Sequence, residues 1–206
     1  ITYVTLANAT DQDQGMMFGG EDDYQFGQAS FGGGVYILTP QWITEYGDYL
    51  YVHTGGNTYT VDPSASTPTV TETRYHSASA RARSSAVFDN QLCVALGNNV
   101  NAEIATTPYT TSRGTVWSIA SGVQMSVFRT GGAGRLFSAR NNVVYNVLPG
   151  QNPATSANYL PSGGEEISDA TEPVRSLEEY SRALVAGTQR SVRTIDPDAG
   201  FYSRPL

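Results

Sequence analysis

The chain has 206 residues and a single cysteine, Cys93, so no intrachain disulfide forms and the fold rests on burying an apolar core. Apolar residues make up 39% and charged residues 15%, with Tyr (13) outnumbering Phe (7) and Trp (2), a profile that favours short strands and tight turns over helices. A net charge of −7, with Arg as the sole basic residue type, argues against a surface that tracks nucleic-acid phosphates or anionic membranes, and no apolar run reaches the ~18–20 residues of a membrane-spanning helix.

Residues 1–34 are rich in Gly, Gln and Asp and read as an arm or irregular lead-in, and 35–206 read as one repeat domain. The chain opens on Ile1, which points to a removed leader or an upstream segment, and Asn8-Ala9-Thr10 is a glycosylation sequon. Val35-Tyr36-Ile37-Leu38 predicts a buried strand. Thereafter one grammar recurs. An apolar strand comes first: 42–46, 85–88, 123–128, and 174–180. A tight turn follows at Gly47-Asp48, Asp89-Asn90, Gly131 to Gly134, or Tyr180-Ser181. An anchor strand comes next, as at 49–53 and 135–139. A second turn holds Gly55-Gly56-Asn57, Gly97-Asn98-Asn99 or Asn141-Asn142, residues that tolerate the positive φ of hairpin turns. A third strand (58–61, 143–147, 191–195) then ends at a proline, which cannot donate to a ladder. A fourth strand is plain at 69–74. Residues 149–173, with four prolines and an acidic cluster, read as a long excursion between repeats. Ser176 followed by Glu179 resembles a capping box, so a short helix at 177–182 competes with the strand there.

The repeat is visible residue by residue. Leu50 to Pro63 aligns with Leu184 to Pro197, with Leu, Thr, Thr, Asp and Pro coincident and Val61 meeting Ile195. Further copies start at Leu136 and Leu92. The anchor leucines are 42, 44 and 48 residues apart, and three to four antiparallel strands in that interval is the period of a propeller blade. An immunoglobulin-like sandwich has no such echo. The expected fold is therefore all-β and propeller-like, with four to five antiparallel blades or an arc of a larger ring.

The Leu184 to Gly200 run, ending Ile195-Asp196-Pro197-Asp198-Ala199-Gly200, resembles the blades of many repeat propellers, and Leu50 to Pro63 is similar. The resemblance spans roughly residues 42–200. It is not of the WD type, because no Gly-His and Trp-Asp pair falls at blade spacing, and the double-Gly motifs are too irregular for kelch. Such propellers occur among lectins, enzymes and phage tail or baseplate proteins, so the resemblance implies a fold and leaves the function open.

Chemistry-bearing patterns are sparse. His53 and His76 are the only histidines, and neither they nor Cys93 stand at zinc-ligand spacing. Asp11, Asp13 and Gly15, like Asp196, Asp198 and Gly200, have the Asp-x-Asp-x-Gly start of a calcium loop, but lack its later ligands and read first as turns. Glu21-Asp22-Asp23, Glu165-Glu166 with Asp169 and Glu172, and Glu178-Glu179 are acidic clusters in loop-like contexts; a glycosidase would need two such carboxylates facing each other. Gly-x-Ser-x-Gly is absent, and Gly32-Gly33-Gly34 has no Lys to make a phosphate loop. Trp42, Tyr46, Tyr49, Tyr51 and Tyr59 cluster in one repeat, either as inter-blade packing or as a binding face. The expectation that follows is a non-catalytic structural or assembly protein without cofactor, extracellular or part of a virion, whose partners are protein subunits. A carbohydrate-binding propeller and a propeller glycosidase or lyase are the alternatives.

Overall fold

The structure, a computed structural model, describes residues 42–53, 57–64, 69–76, 82–108, 117–131, 134–180, 183–197 and 202–205, with the backbone alone for 69–73, 75 and 202–205. The arm at 1–34 and the strand expected at 35–38 lie outside these residues. The fold is all-β, and its strands form four antiparallel sheets of four, each a meander in chain order. The first sheet holds β1 (Trp42–Tyr46), β2 (Tyr49–His53), β3 (Asn57–Asp62) and β4 (Thr69–Tyr75). The second holds β5 (Ser84–Phe88), β6 (Gln91–Ala95), β7 (Glu103–Ala105) and β8 (Trp117–Ile119). The third holds β9 (Val127–Gly131), β10 (Arg135–Arg140), β11 (Val143–Val147) and β12 (Leu160–Glu166). The fourth holds β13 (Ser176–Tyr180), β14 (Ala183–Gly187), β15 (Val192–Asp196) and β16 (Tyr202–Pro205). The first strands lie side by side in the series β1, β5, β9, β13, so consecutive sheets stack face to face as propeller blades do. No sheet closes on itself among the described residues.

The anchor leucines set the register. Leu50, Leu92, Leu136 and Leu184 all sit on the second strand and face Val61, Ala105, Val147 and Ile195 on the third. Three apolar clusters fill the three junctions between sheets. Tyr46 and Tyr51 of the first sheet pack with Leu92, Val94 and Ala105 of the second. Phe88, Cys93 and Ile104 of the second pack with Phe128, Leu136 and Val147 of the third. Phe137, Ala139 and Val144 of the third pack with Leu177, Leu184 and Ile195 of the fourth. Leu92, Leu136 and Leu184 thus face the preceding sheet, and Tyr51, Cys93 and Phe137, each the successor of an anchor leucine, face the following one. Full burial of such a side chain is worth about 2 kcal/mol, so the repeat is above all a packing repeat.

Turn chemistry explains the tight first hairpins. Asp89 and Asn90 both adopt positive φ (45° and 57°), as a two-residue turn of right-handed twist demands, and Asn141 (φ 54°) serves the β10–β11 turn.

Three expectations need correction. The strand foreseen at 123–128 starts only at Val127; Val123 and Met125 instead plug the second junction from a turn, with Gly97 donating to the Met125 carbonyl. The helix at 177–182 is not formed. Residues 176–180 pair with β14 from Ser176↔Gly187 to Tyr180↔Ala183, which satisfies more backbone groups than one helical turn would and buries Leu177. The excursion at 149–173 contains β12, the outer strand of the third sheet. Pro161 is tolerated on that edge, and Gly163 and Gly164 supply positive φ where the register shifts along β11.

Candidate functional site

The polar centre of the molecule is a buried network at the junction of the first and second sheets. His53 ends β2 and lies opposite Thr58 of β3, and Thr58 lies opposite Arg74 of β4, so the three share one face of the sheet. His76, two residues beyond Arg74, continues that face. The second sheet contributes Ser85 from β5 and Glu103 from the start of β7. Ser85, His53, Thr58, His76 and Glu103 are all buried.

These groups form one continuous chain of hydrogen bonds. The Thr44 and Ser85 hydroxyls meet at 2.6 Å, and Ser85 Oγ lies 2.7 Å from His53 Nε2. His53 Nδ1 lies 2.8 Å from Thr58 Oγ1, which is 2.6 Å from His76 Nε2. His76 Nδ1 lies 2.9 Å from Glu103 Oε2, and Arg74 donates to both carboxylate oxygens through Nε (2.7 Å) and Nη2 (2.8 Å). Trp42 closes the near end by donating from Nε1 to the Ser85 carbonyl at 3.0 Å. The Trp117 ring stands edge-on to His76 with centroids 5.7 Å apart.

Electrostatics follow from burial and partners. Burial, with the neighbouring His76 adding, pushes His53 down to about 3, so its ring is neutral at ordinary pH. For Glu103, burial favours the acid form, but the Arg74 and His76 hydrogen bonds outweigh it and hold the carboxyl at about 2. The network thus ends in a fixed ion pair. Ser85 and His53 have the contact of a nucleophile and its base, yet Ser85 is 3% exposed and sits between two sheets, where no substrate carbonyl can approach it.

Of the two readings of the first repeat's aromatics, their burial fits the packing one. Tyr46, Tyr51 and Tyr59 are 1%, 0% and 3% exposed, and Trp42 and Tyr49 are half-buried. Tyr46 donates to the Asn90 carbonyl of the second sheet at 2.8 Å, and Tyr46 and Tyr51 touch through rings 5.7 Å apart. The aromatics flanking the first hairpin pack inward, because Tyr46 and Tyr51 are the large side chains that fill the first junction.

The acidic clusters do not assemble either. Glu165 and Glu166 are successive strand residues and point to opposite faces of β12. Glu166 accepts from Asn142, Asp169 accepts from the backbone and hydroxyl of Thr171, and Glu172 accepts from Thr188. Glu178 pairs with Arg129 across the third junction. Of the calcium-loop candidates, Asp196 is exposed at the end of β15, while Asp11, Asp13 and Asp198 lie outside the described residues, as do Glu21, Asp22 and Asp23. Among the described residues no three His, Cys, Asp or Glu gather as metal ligands would.

Sequence reasoning missed the His53–Thr58–His76–Glu103 chain. The one available signal was alternation: Thr58 and Thr60 on one strand, and Arg74 and His76 at the end of another, break an otherwise apolar junction face on alternate residues.

Comparison with protein-family models finds no match, and comparison with curated proteins finds none of significance. Solved structures do match. The extracellular domain of the putative one-component system BT4673 from B. thetaiotaomicron superposes with a TM-score of 0.61 over 85% of this chain at 14% identity. A second structure, titled as the extracellular domain of the putative hybrid two-component system BT4673, gives 0.57 over the same share, also at 14%. A crystal structure of the mitotic checkpoint complex gives 0.53 over 81% at 13% identity. The chain spans 23% of the BT4673 chains and 54% of the checkpoint chain. At such identities the likeness is one of fold, and the fold it supports is the propeller-like stack of antiparallel sheets.

Proposed function

We propose that the chain is a non-catalytic propeller module that works outside the cell and assembles with further copies of itself through the faces of its two end sheets. The observation that carries this reading is a mismatch at the ends of the repeat. Leu92, Leu136 and Leu184 are fully buried against the preceding sheet, whereas Leu50, their counterpart, is half-buried. Tyr51, Cys93 and Phe137 are buried against the following sheet, whereas Val185, their counterpart, is half-buried. Beside Val185 stand Tyr180 at 76% and Val192 at 48% exposure, and beside Leu50 stands Ile43 at 55%.

Among the described residues these two faces have no neighbouring sheet, and they match as the two halves of one junction. The fourth sheet of one copy stacked on the first sheet of the next would repeat a contact that this chain makes three times within itself. Such a head-to-tail contact is heterologous, giving a ring if the rotation closes and a filament if it does not. The extracellular placing rests on the BT4673 domains that share the fold, and the non-catalytic reading on the burial of every hydroxyl–histidine pair described above.

Light scattering on the purified chain tests the assembly. The expected result is a discrete mass of at least two copies of the 22.1 kDa chain, reduced to one copy by Tyr180→Asp with Val192→Asp. A wild-type chain that stays monomeric at high concentration overturns the assembly role.

A further inference from the structure

The hydrogen-bond chain at the first junction has two complete proton arrangements, and this is not required for packing. Glu103, ionised and held by Arg74, can only accept, so His76 donates to it from Nδ1. With His76 neutral, its Nε2 accepts from the Thr58 hydroxyl. Thr58 Oγ1 then accepts from His53 Nδ1–H, His53 Nε2 accepts from the Ser85 hydroxyl, and Ser85 Oγ accepts from the Thr44 hydroxyl. Every donor points toward Glu103.

With one more proton, on His76 Nε2, every bond between Thr44 and His76 reverses and none is lost. His76 donates to Thr58, Thr58 to His53 Nδ1, His53 Nε2–H to Ser85, and Ser85 to Thr44. The Thr44 hydroxyl then turns to the Ser85 carbonyl oxygen, 3.3 Å away. His53 is neutral in both arrangements but carries its proton on opposite nitrogens.

We propose that Thr44, Ser85, His53 and Thr58 form a proton relay that loads buried His76 from the surface without opening the junction. Thr44 is the half-buried member and the other four are buried, so the entry point is at Thr44. Water delivers a proton to Thr44 Oγ1, whose own proton passes to Ser85 Oγ. The Ser85 proton passes to His53 Nε2, the His53 Nδ1 proton to Thr58, and the Thr58 proton to His76 Nε2. Each O–H or N–H bond broken is replaced by one formed, and the net change is one positive charge on His76. The titratable or charged groups facing His76 are Glu103 from β7, Arg74 from β4 and, across Thr58, His53 from β2; Trp117 from β8 adds an uncharged ring. The charged His76 forms an ion pair with Glu103 that links the first sheet to the second, so external acidity is registered as a charge in the junction. The low affinity of His53 for a proton keeps that charge from stopping midway.

The test is ring-nitrogen NMR of the 15N-histidine-labelled full chain across a pH series. As His76 gains its second proton, the pyrrole-like and pyridine-like nitrogen signals of His53 should exchange places with the same midpoint, while His53 stays neutral. Thr58→Ser should keep this coupling, and Thr58→Val, which cuts the relay, should leave His53 unmoved and let His76 exchange its proton only as fast as the junction opens. The relay is overturned if wild-type His53 holds its Nδ1 proton throughout the His76 titration or becomes the cation itself. It is equally overturned if His76 stays neutral down to acid unfolding. All three outcomes are read on the wild-type chain, whatever the fate of the Thr58 variants.

Discussion

His53 and Glu103 give stability opposite ends of one acid-sensitive window. The unfolded chain binds a proton at His53 near pH 6.5, and the folded chain resists until about 3. The unfolded state therefore holds more protons across that range, and folding loses up to ~1.4 kcal/mol for each pH unit of acidification. Glu103 adds to the loss lower down. Its folded value of about 2 lies below the ordinary 4.5, so its contribution is complete above pH 4.5 and fades as pH falls toward 2. Urea midpoints should accordingly drop between pH 6.5 and 5, and the drop should shrink in His53→Gln, which keeps polar atoms and cannot titrate. An unchanged slope in that variant would assign the acid sensitivity elsewhere. None of this was legible beforehand. His53, Thr58, His76 and Glu103 are scattered along fifty residues; strand pairing in the first sheet gathers the first three, and only the stacking of the second sheet brings Glu103 to them. The aromatic cluster was legible as a cluster, but a Tyr on an alternating strand reads the same whether its face meets solvent or another sheet.

At the scale of strands and turns, legibility tracked local chemistry. β1, β2 and β11 were read to the residue, because Gly47-Asp48 and Asn141-Asn142 mark the turns that bound them. β12 was lost because its sequence, Leu160 to Glu166, carries a proline and two glycines and owes its strand state to β11. Gly164 shows the dependence. It has φ +76°, and a Cβ there would lie 2.1 Å from Val143 Cγ1 and 2.7 Å from the Tyr145 ring. Gly164→Ala combines left-handed backbone strain of about 1–2 kcal/mol with a clash against a neighbouring strand, so the total should exceed ~3 kcal/mol. Gly150 is the matched control: its φ of +80° is similar, but nothing lies within 4 Å, so alanine there should cost only the backbone part. Denaturant titration of the two variants separates the terms, and equal losses would remove the steric argument for β12.

Over the described residues, the spacing of the anchor leucines was enough to mark the four sheets and their order, while the number of blades in a full ring stayed open between four, five and a larger count; a packing repeat must show itself in the residues that pack. It also left open the end condition, because a half-buried Leu50 and a buried Leu92 look alike in one dimension. The four described sheets stack in a row, so among them stability is close to a sum of sheet and junction terms and loss of structure should begin at the outer of these sheets. Cys93 sits in the middle junction, fully buried, with its thiol further disfavoured from ionising by that burial. It is thereby a chemical clock built into the centre of the stack. Alkylation of Cys93 can proceed only when the second and third sheets part, so its rate should follow global unfolding, while amide exchange in β13–β16 runs ahead of it. A thiol that reacts as fast as the outer amides exchange would mean that the stack splits at its waist and not from its ends.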